Sequence, residues 1–185
     1  SSSVYNCPGG CSVGRCVPPF INVSNPAVLI ERKITSGPLG LSSPSILDNK
    51  IVWSGNSNIY LYDLSTGQEK QITNEGSRSG GPKISGNKIV WMDFRNNLIS
   101  DIYLYDLSIS QEKQITADSY SQGLPSISGD KIVWPDFRNG DGNSDIYLYD
   151  LSKGEEKQIT TNMSYQGHPS ISGDKIVWWD NRNGN

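Results

Sequence analysis

Four times along the chain the same order of apolar and polar residues returns: PSILDNKIVW begins at Pro44, PKISGNKIVW at Pro82, and PSISGDKIVW at Pro125 and again at Pro169. In the first three units the run continues through IYLYDLS to QIT, ending at Thr73, Thr116 and Thr160. Within the third unit the pattern predicts four short strands, Ser126–Ser128, Lys131–Trp134, Asp145–Leu151 and Glu156–Thr160. Between them lie Gly129-Asp130, Asn139-Gly140-Asp141-Gly142 and Lys153-Gly154, where glycine reaches positive φ and Asn or Asp bonds its own backbone. In Ile146-Tyr147-Leu148-Tyr149 aliphatic side chains point one way and tyrosines the other, so neither side is polar, as in a strand covered on both faces. Four antiparallel strands in a unit of about 40 residues make a propeller blade, and a blade sandwiched between two others has no polar face. A two-layer sandwich would show polar alternation, and the turns of a parallel solenoid are usually shorter than these units. No stretch carries helical periodicity.

The expectation is an all-β protein, a β-propeller of four-stranded antiparallel blades, with three full blades plus a split blade shared by N- and C-terminal strands. The units PSISGDKIVWWD and SDIYLYDLSKGEEKQIT resemble the TolB-like propeller repeats of bacterial periplasmic proteins and of large archaeal surface proteins, over Pro44 to Asn185. The resemblance is specific for fold and not for function, because this scaffold hosts binding proteins, lyases and the gating domains of peptidases.

Residues 1–17 read as a Cys- and Gly-rich arm, 44–73, 82–116 and 125–160 as full blades, and 169–185 as half a blade. The half blade needs two more strands, and residues 18–35 are the candidate donor. Their end, ERKIT, lines up with EKQIT of the third unit, and Phe20-Ile21-Asn22-Val23 stands in the place of IYLY. The expected donor contacts are Phe20, Ile21, Val23, Val28, Ile30 and Ile34, and the expected acceptor edge is Ile176, Val177, Trp178 and Trp179. Three arrangements follow: the donor closes its own chain into a four-bladed ring, it crosses to another copy to give a closed dimer or an open filament, or IYLYDLS continues beyond Asn185.

Charge narrows the partners. A net charge of −3 and a pI near 5.1 supply no basic field for nucleic acid, and Lys70, Lys113 and Lys157 recur with the repeat rather than cluster. The longest uninterrupted aliphatic run is Ala27 to Ile30, far short of a membrane span. The sequons Asn22-Val-Ser24 and Asn162-Met-Ser164 fit an exported protein glycosylated at Asn22 and Asn162. Three cysteines, Cys7, Cys11 and Cys16, fit one disulfide plus a leftover thiol able to link subunits.

A residue present in every blade is architectural, whereas an active site is assembled once. The D-x-R pairs Asp93/Arg95, Asp136/Arg138 and Asp180/Arg182 read as braces of the loop between second and third strands, and Trp53, Trp91, Trp134 and Trp178 as packing between blades. Asp63, Asp106 and Asp150 fix the turn after IYLY. Met92 and Trp179 vary at one blade position and are candidate platform residues. A cation loop at Asp136, Asp141, Asn143 and Asp145 is the weaker candidate, since the EF-hand order and its terminal Glu are missing. The only histidine, His168, reads as a loop residue before Pro169, and no GxSxG elbow occurs. The expected function is a non-enzymatic, cofactor-free interaction module at the cell surface or outside the cell, with the periplasm second. Its partner is protein, another copy of itself first, through strand complementation. The alternative is a carbohydrate-binding or carbohydrate-active, lyase-like propeller using the central funnel.

Overall fold

The computed structural model describes residues 31–35, 40–74, 77–96, 99–140 and 142–184. The chain divides into two units, Ser1–Pro38 and Leu39–Asn185. In the first, residues 31–35 carry no strand. Donor residues Phe20 to Ile30, the three cysteines, Asn22 and Asp141 lie outside the described residues.

The second unit is all β among its described residues. Fourteen strands form three four-stranded antiparallel sheets in sequential order and one two-stranded sheet. The first blade is β1 (Ser42–Leu47), β2 (Lys50–Gly55), β3 (Asn58–Asp63) and β4 (Gln68–Gln71). The second is β5 (Ser79–Ser85), β6 (Lys88–Asn96), β7 (Ile99–Asp106) and β8 (Gln111–Gln114). The third is β9 (Ser126–Ser128), β10 (Lys131–Asp136), β11 (Asp145–Asp150) and β12 (Glu155–Gln158). The fourth holds β13 (Gln166–Ser172) and β14 (Lys175–Asp180). The first strands β1, β5, β9 and β13 lie beside one another and are innermost, while β4, β8 and β12 are the exposed outer strands. This is the β-propeller that the repeat predicts.

The two faces of each IYLY strand explain how blades stack. Ile59 and Leu61 share a buried cluster with Tyr103 and Tyr105 of the next blade. Ile102 and Leu104 in turn meet Tyr147, with Tyr149 packed against the same cluster. The aliphatic face therefore points forward and the tyrosine face back. Trp91 and Trp134 lie fully buried in these clusters, each stacked on the tyrosine opposite it, Tyr103 at 6.1 Å and Tyr147 at 6.4 Å between ring centres. A lysine on the outer strand adds to the junction: Lys70 Nζ donates to Tyr105 Oη at 3.0 Å, and Lys113 sits 5.6 Å from the ring of Tyr149.

The turns follow their residues. After each third strand an aspartate accepts from the backbone N–H two residues on, Asp63 from Ser65 and Asp106 from Ser108 at 2.8 Å and Asp150 from Ser152 at 3.0 Å. The position before the fourth strand takes positive φ, supplied by Gly67 and Gly154, but by Ser110 at φ 53° in the second blade. A side chain in this region costs about 1 kcal/mol relative to glycine. Ser110→Gly is thus expected to stabilise the protein by about 0.5–1 kcal/mol, measured as a higher urea midpoint at unchanged slope.

Candidate functional site

The D-x-R pair does more than brace a loop. Burial pushes the Asp93 carboxyl up, but bonds from Arg95 (2.7 Å), the Trp91 indole (3.0 Å) and Ser79 (2.8 Å) outweigh it and hold the group below the ordinary range. Arg95 then crosses the blade, its guanidinium 4.2 Å from the Tyr103 ring centre and 2.6 Å from Glu112 on the outer strand. The third blade repeats this with Asp136, Trp134, Arg138, Tyr147 and Glu156, the last at 3.0 Å from Arg138. Each guanidinium ties second, third and fourth strands together.

These bonds set a pH dependence. A depressed folded pKa contributes stability that is present above the unfolded value and lost as pH falls through the folded one. Asp93 acts in this sense, as do Asp63, Asp106 and Asp150, each held down by its turn serine. Asp101, raised by burial, acts oppositely and is favoured by acid. The expected net result is a urea midpoint that drops as pH falls from 5 through the range below the ordinary carboxylate pKa of about 3.9.

Blade four is where the pattern stops. β14 pairs with β13 on one side, and among the described residues nothing pairs with its other side. Ile176 and Trp178 pack toward blade three, while Val177 and Trp179 lie on the opposite face, 66% and 46% exposed. The four expected acceptor residues thus divide between a half-covered face and an open one. Arg182 keeps its bond to Asp180 (Nε to Oδ2, 2.9 Å), but its side chain is 47% exposed, against 29% for Arg95 and 27% for Arg138.

A second feature lies where second strands end and first strands begin. A groove of about 380 Å³ runs between Met92, Phe94, Leu124, Pro135, Phe137 and Tyr165, with His168 at its side. Tyr165 meets Phe137 at 6.2 Å and Trp179, edge-on, at 5.4 Å. The lining is close-packed: a Cβ on Gly123 would come within 2.5 Å of the Pro135 side chain. Met92, Trp179, Leu124 and His168 stand out in the sequence as places where the repeat varies; Phe94, Phe137 and Tyr165 escape such a reading, although Asn181 takes the Phe137 position and Ser121 the Tyr165 position in other units. His168 is within β13 rather than in a loop, at φ 51° beside a register shift between Gly167 and Ser170.

Gln122 and Gln166 also escape a reading of the repeat alone. Each is fully buried and accepts from a threonine of the preceding blade, Thr116 at 2.7 Å and Thr160 at 3.0 Å, clasping blade to blade. The signal is present as Gln-Gly shortly before the PSIS run of units three and four.

Of the cation candidates, Asp141 lies outside the described residues. Asp136 is held by Arg138, Asp145 accepts from Asn139, Gln158 and Thr160, and among the described residues no group of three His, Cys, Asp or Glu could hold a metal. Asn162 is exposed, its side-chain oxygen accepting from the Ser164 N–H. No helix among the described residues is long and apolar enough to cross a membrane.

Solved structures place this geometry among known folds. TolB from Acinetobacter baumannii is similar at 26% identity and a TM-score of 0.61, covering 80% of this chain and 39% of that one. A chain of a nidogen/laminin complex aligns at 14% identity and 0.59, covering 81% and 59%. An oligogalacturonate lyase in complex with manganese aligns at 18% and 0.55, covering 70% and 42%. This chain spans less than two thirds of each of these proteins. No protein-family model and no curated protein matches it.

Proposed function

The chain is a TolB-like β-propeller, and from that premise we propose that it works as a non-enzymatic interaction module outside the cell or at its surface, associating with another copy by strand complementation. The observation that carries this is β14: its backbone is paired on one side only among the described residues, and Trp178 is only partly buried where its counterparts Trp91 and Trp134 are fully buried against a third-strand tyrosine. An open strand edge beside apolar side chains is a template for a further strand. The donor would be residues 18–35 of a neighbour, whose ERKIT matches the fourth-strand sequence of the third blade. If the donated strand returns to the donor the result is a closed dimer, and if not, a filament. Light scattering after size exclusion is expected to show an oligomer for the intact chain and a monomer once residues 1–35 are deleted. A monomeric intact chain would remove the reading.

The groove favours a second reading, a ligand seated near the funnel. Two of its polar groups are already used, the Ser100 hydroxyl on the Gln122 carbonyl at 2.7 Å and the Gln122 amide on Asp118 at 3.0 Å, and the rest of the lining is mostly apolar. Such a lining suits an apolar side chain better than a sugar, which needs converging hydrogen-bond partners. The carbohydrate alternative is therefore the weaker of the two.

A further inference from the structure

Two buried aspartates face each other in blade two. Asp93 of β6 pairs in register with Asp101 of β7, and both are shut off from solvent. Ionised carboxylates directly opposite one another repel. The donors around the two differ in kind. Asp93 has the Arg95 guanidinium, the Trp91 indole and the Ser79 hydroxyl, whereas the amides on Asp101 are neutral, Asn96 Nδ2 at 3.1 Å and Gln114 Nε2 at 3.0 Å, both on Oδ2. The Asn96 amide also serves the Tyr103 hydroxyl at 2.9 Å. The nearby cations are committed: Arg95 to Asp93 and Glu112, and Arg138 to Asp136, Glu156 and Asp118, the carboxylate on the linker from β8 to β9.

The second oxygen of Asp101 is one proton short. Among the described residues Oδ1 meets a single hydrogen-bonding group, the Thr116 hydroxyl, at 3.4 Å. That hydroxyl accepts from the Ile102 N–H at 2.8 Å and lies 2.7 Å from Gln122 Oε1. The orientation of Gln122 is fixed, because its Nε2 donates to Asp118 Oδ1 at 3.0 Å and to the Tyr120 carbonyl at 2.6 Å. A hydroxyl carries one proton, and 2.7 Å is an ordinary O–H···O length where 3.4 Å is beyond it. Gln122 therefore holds the Thr116 proton, and Asp101 Oδ1 faces Thr116 Oγ1 with none between them. Asp145, Thr160 and Gln166 repeat the arrangement in blade three with both lengths at 3.0 Å, so only blade two shows which acceptor has the proton.

We infer that Asp101 is a proton-binding latch on the junction between blades two and three: its carboxyl is protonated on Oδ1 and donates to Thr116 Oγ1, which leaves the threonine proton to Gln122. Ionised, the carboxylate competes for that hydroxyl, and the wholly buried Gln122 Oε1 loses its donor. Gln122 also lines the groove together with Ser100, whose hydroxyl donates to the Gln122 carbonyl at 2.7 Å, so the proton on Asp101 steadies the groove wall as well. Burial holds the Asp101 carboxyl above the ordinary carboxylate range, and Asp118 pushes the same way. Blade one has a neutral group at the same position, Asn58, paired with Gly55 instead of an acid and taking the Thr73 hydroxyl at 3.0 Å. A raised folded pKa gives stability that is complete below the unfolded value of about 3.9 and is lost as pH rises through the folded value.

Carboxyl-carbon NMR of the full chain, titrated from acid to neutral pH, tests the latch. The Asp101 midpoint is expected above about 3.9, and it is expected to fall in Gln122→Met, where the Thr116 hydroxyl is released to bond the ionised carboxylate. A wild-type midpoint at or below the ordinary value, or one that Gln122→Met leaves unchanged, would overturn the inference. Asp101→Asn gives a second readout, since an amide with Nδ2 toward Thr116 and its oxygen toward Asn96 and Gln114 reproduces the protonated acid. Its urea midpoint relative to wild type is expected to rise with pH, while that of Asp93→Asn falls. An Asp101→Asn difference that is constant, or that moves in favour of wild type as pH rises, would overturn the inference equally.

Discussion

Trp134→Ala is expected to destabilise the protein by about 4 kcal/mol, within the range for emptying a buried aromatic site. Trp134 is fully buried between blades two and three, surrounded by Val90, Ile102, Leu104, Ile127 and Ile132 and stacked on Tyr147. No small shift closes such a hole, because the strands on either side are fixed by their own ladders. Trp178→Ala provides the contrast: the same blade position is only half covered, and its loss is expected to cost about 1–2 kcal/mol. Urea unfolding of both variants checks the pair, and equal costs would mean that blade four is packed as firmly as blade three.

The second large effect is expected at Asp136. Its carboxylate is wholly buried and accepts from the Trp134 indole (3.1 Å), the Arg138 N–H (3.0 Å), and Arg138 Nε and Nη2 (2.8 Å each). Asp136→Ala leaves the indole donor without an acceptor and the guanidinium half-buried against Tyr147, for a cost of about 3 kcal/mol. Asp136→Asn keeps the size but loses the charge, and is expected to fall between. Asp180→Ala, at the equivalent position of the open blade, should shift the midpoint much less, since Arg182 there is already in contact with solvent.

The strand order was legible because the chain states it several times. Each IYLY shows two apolar faces, and only a blade enclosed by neighbours asks for that, which is the stacking that Ile59, Leu61, Tyr103 and Tyr105 make. Strand ends were less legible: β12 stops at Gln158, and Thr160 instead turns its hydroxyl to accept from the Ile146 N–H at 2.9 Å. The groove was not legible as a unit. Met92, Leu124, Phe137 and Tyr165 come from three blades, and a one-dimensional repeat gives no distance between them. The D-x-R pair was half read, because the spacing shows that Asp93 and Arg95 are neighbours but not that a long guanidinium crosses Tyr103 to reach Glu112, 17 positions on. The donor side of the proposed complementation rests on ERKIT and its spacing, the acceptor side on β14.

Amide hydrogen exchange along β14 tests the central claim most directly. Alternate N–H groups of Lys175–Asp180 point away from β13, where β10 meets its third strand in register from Lys131↔Asp150 to Asp136↔Asp145. If the edge accepts a strand pair, those amides in the assembled protein exchange as slowly as their counterparts in β10, and become fast when residues 1–35 are deleted. Amides that exchange at loop rates under both conditions would contradict the account.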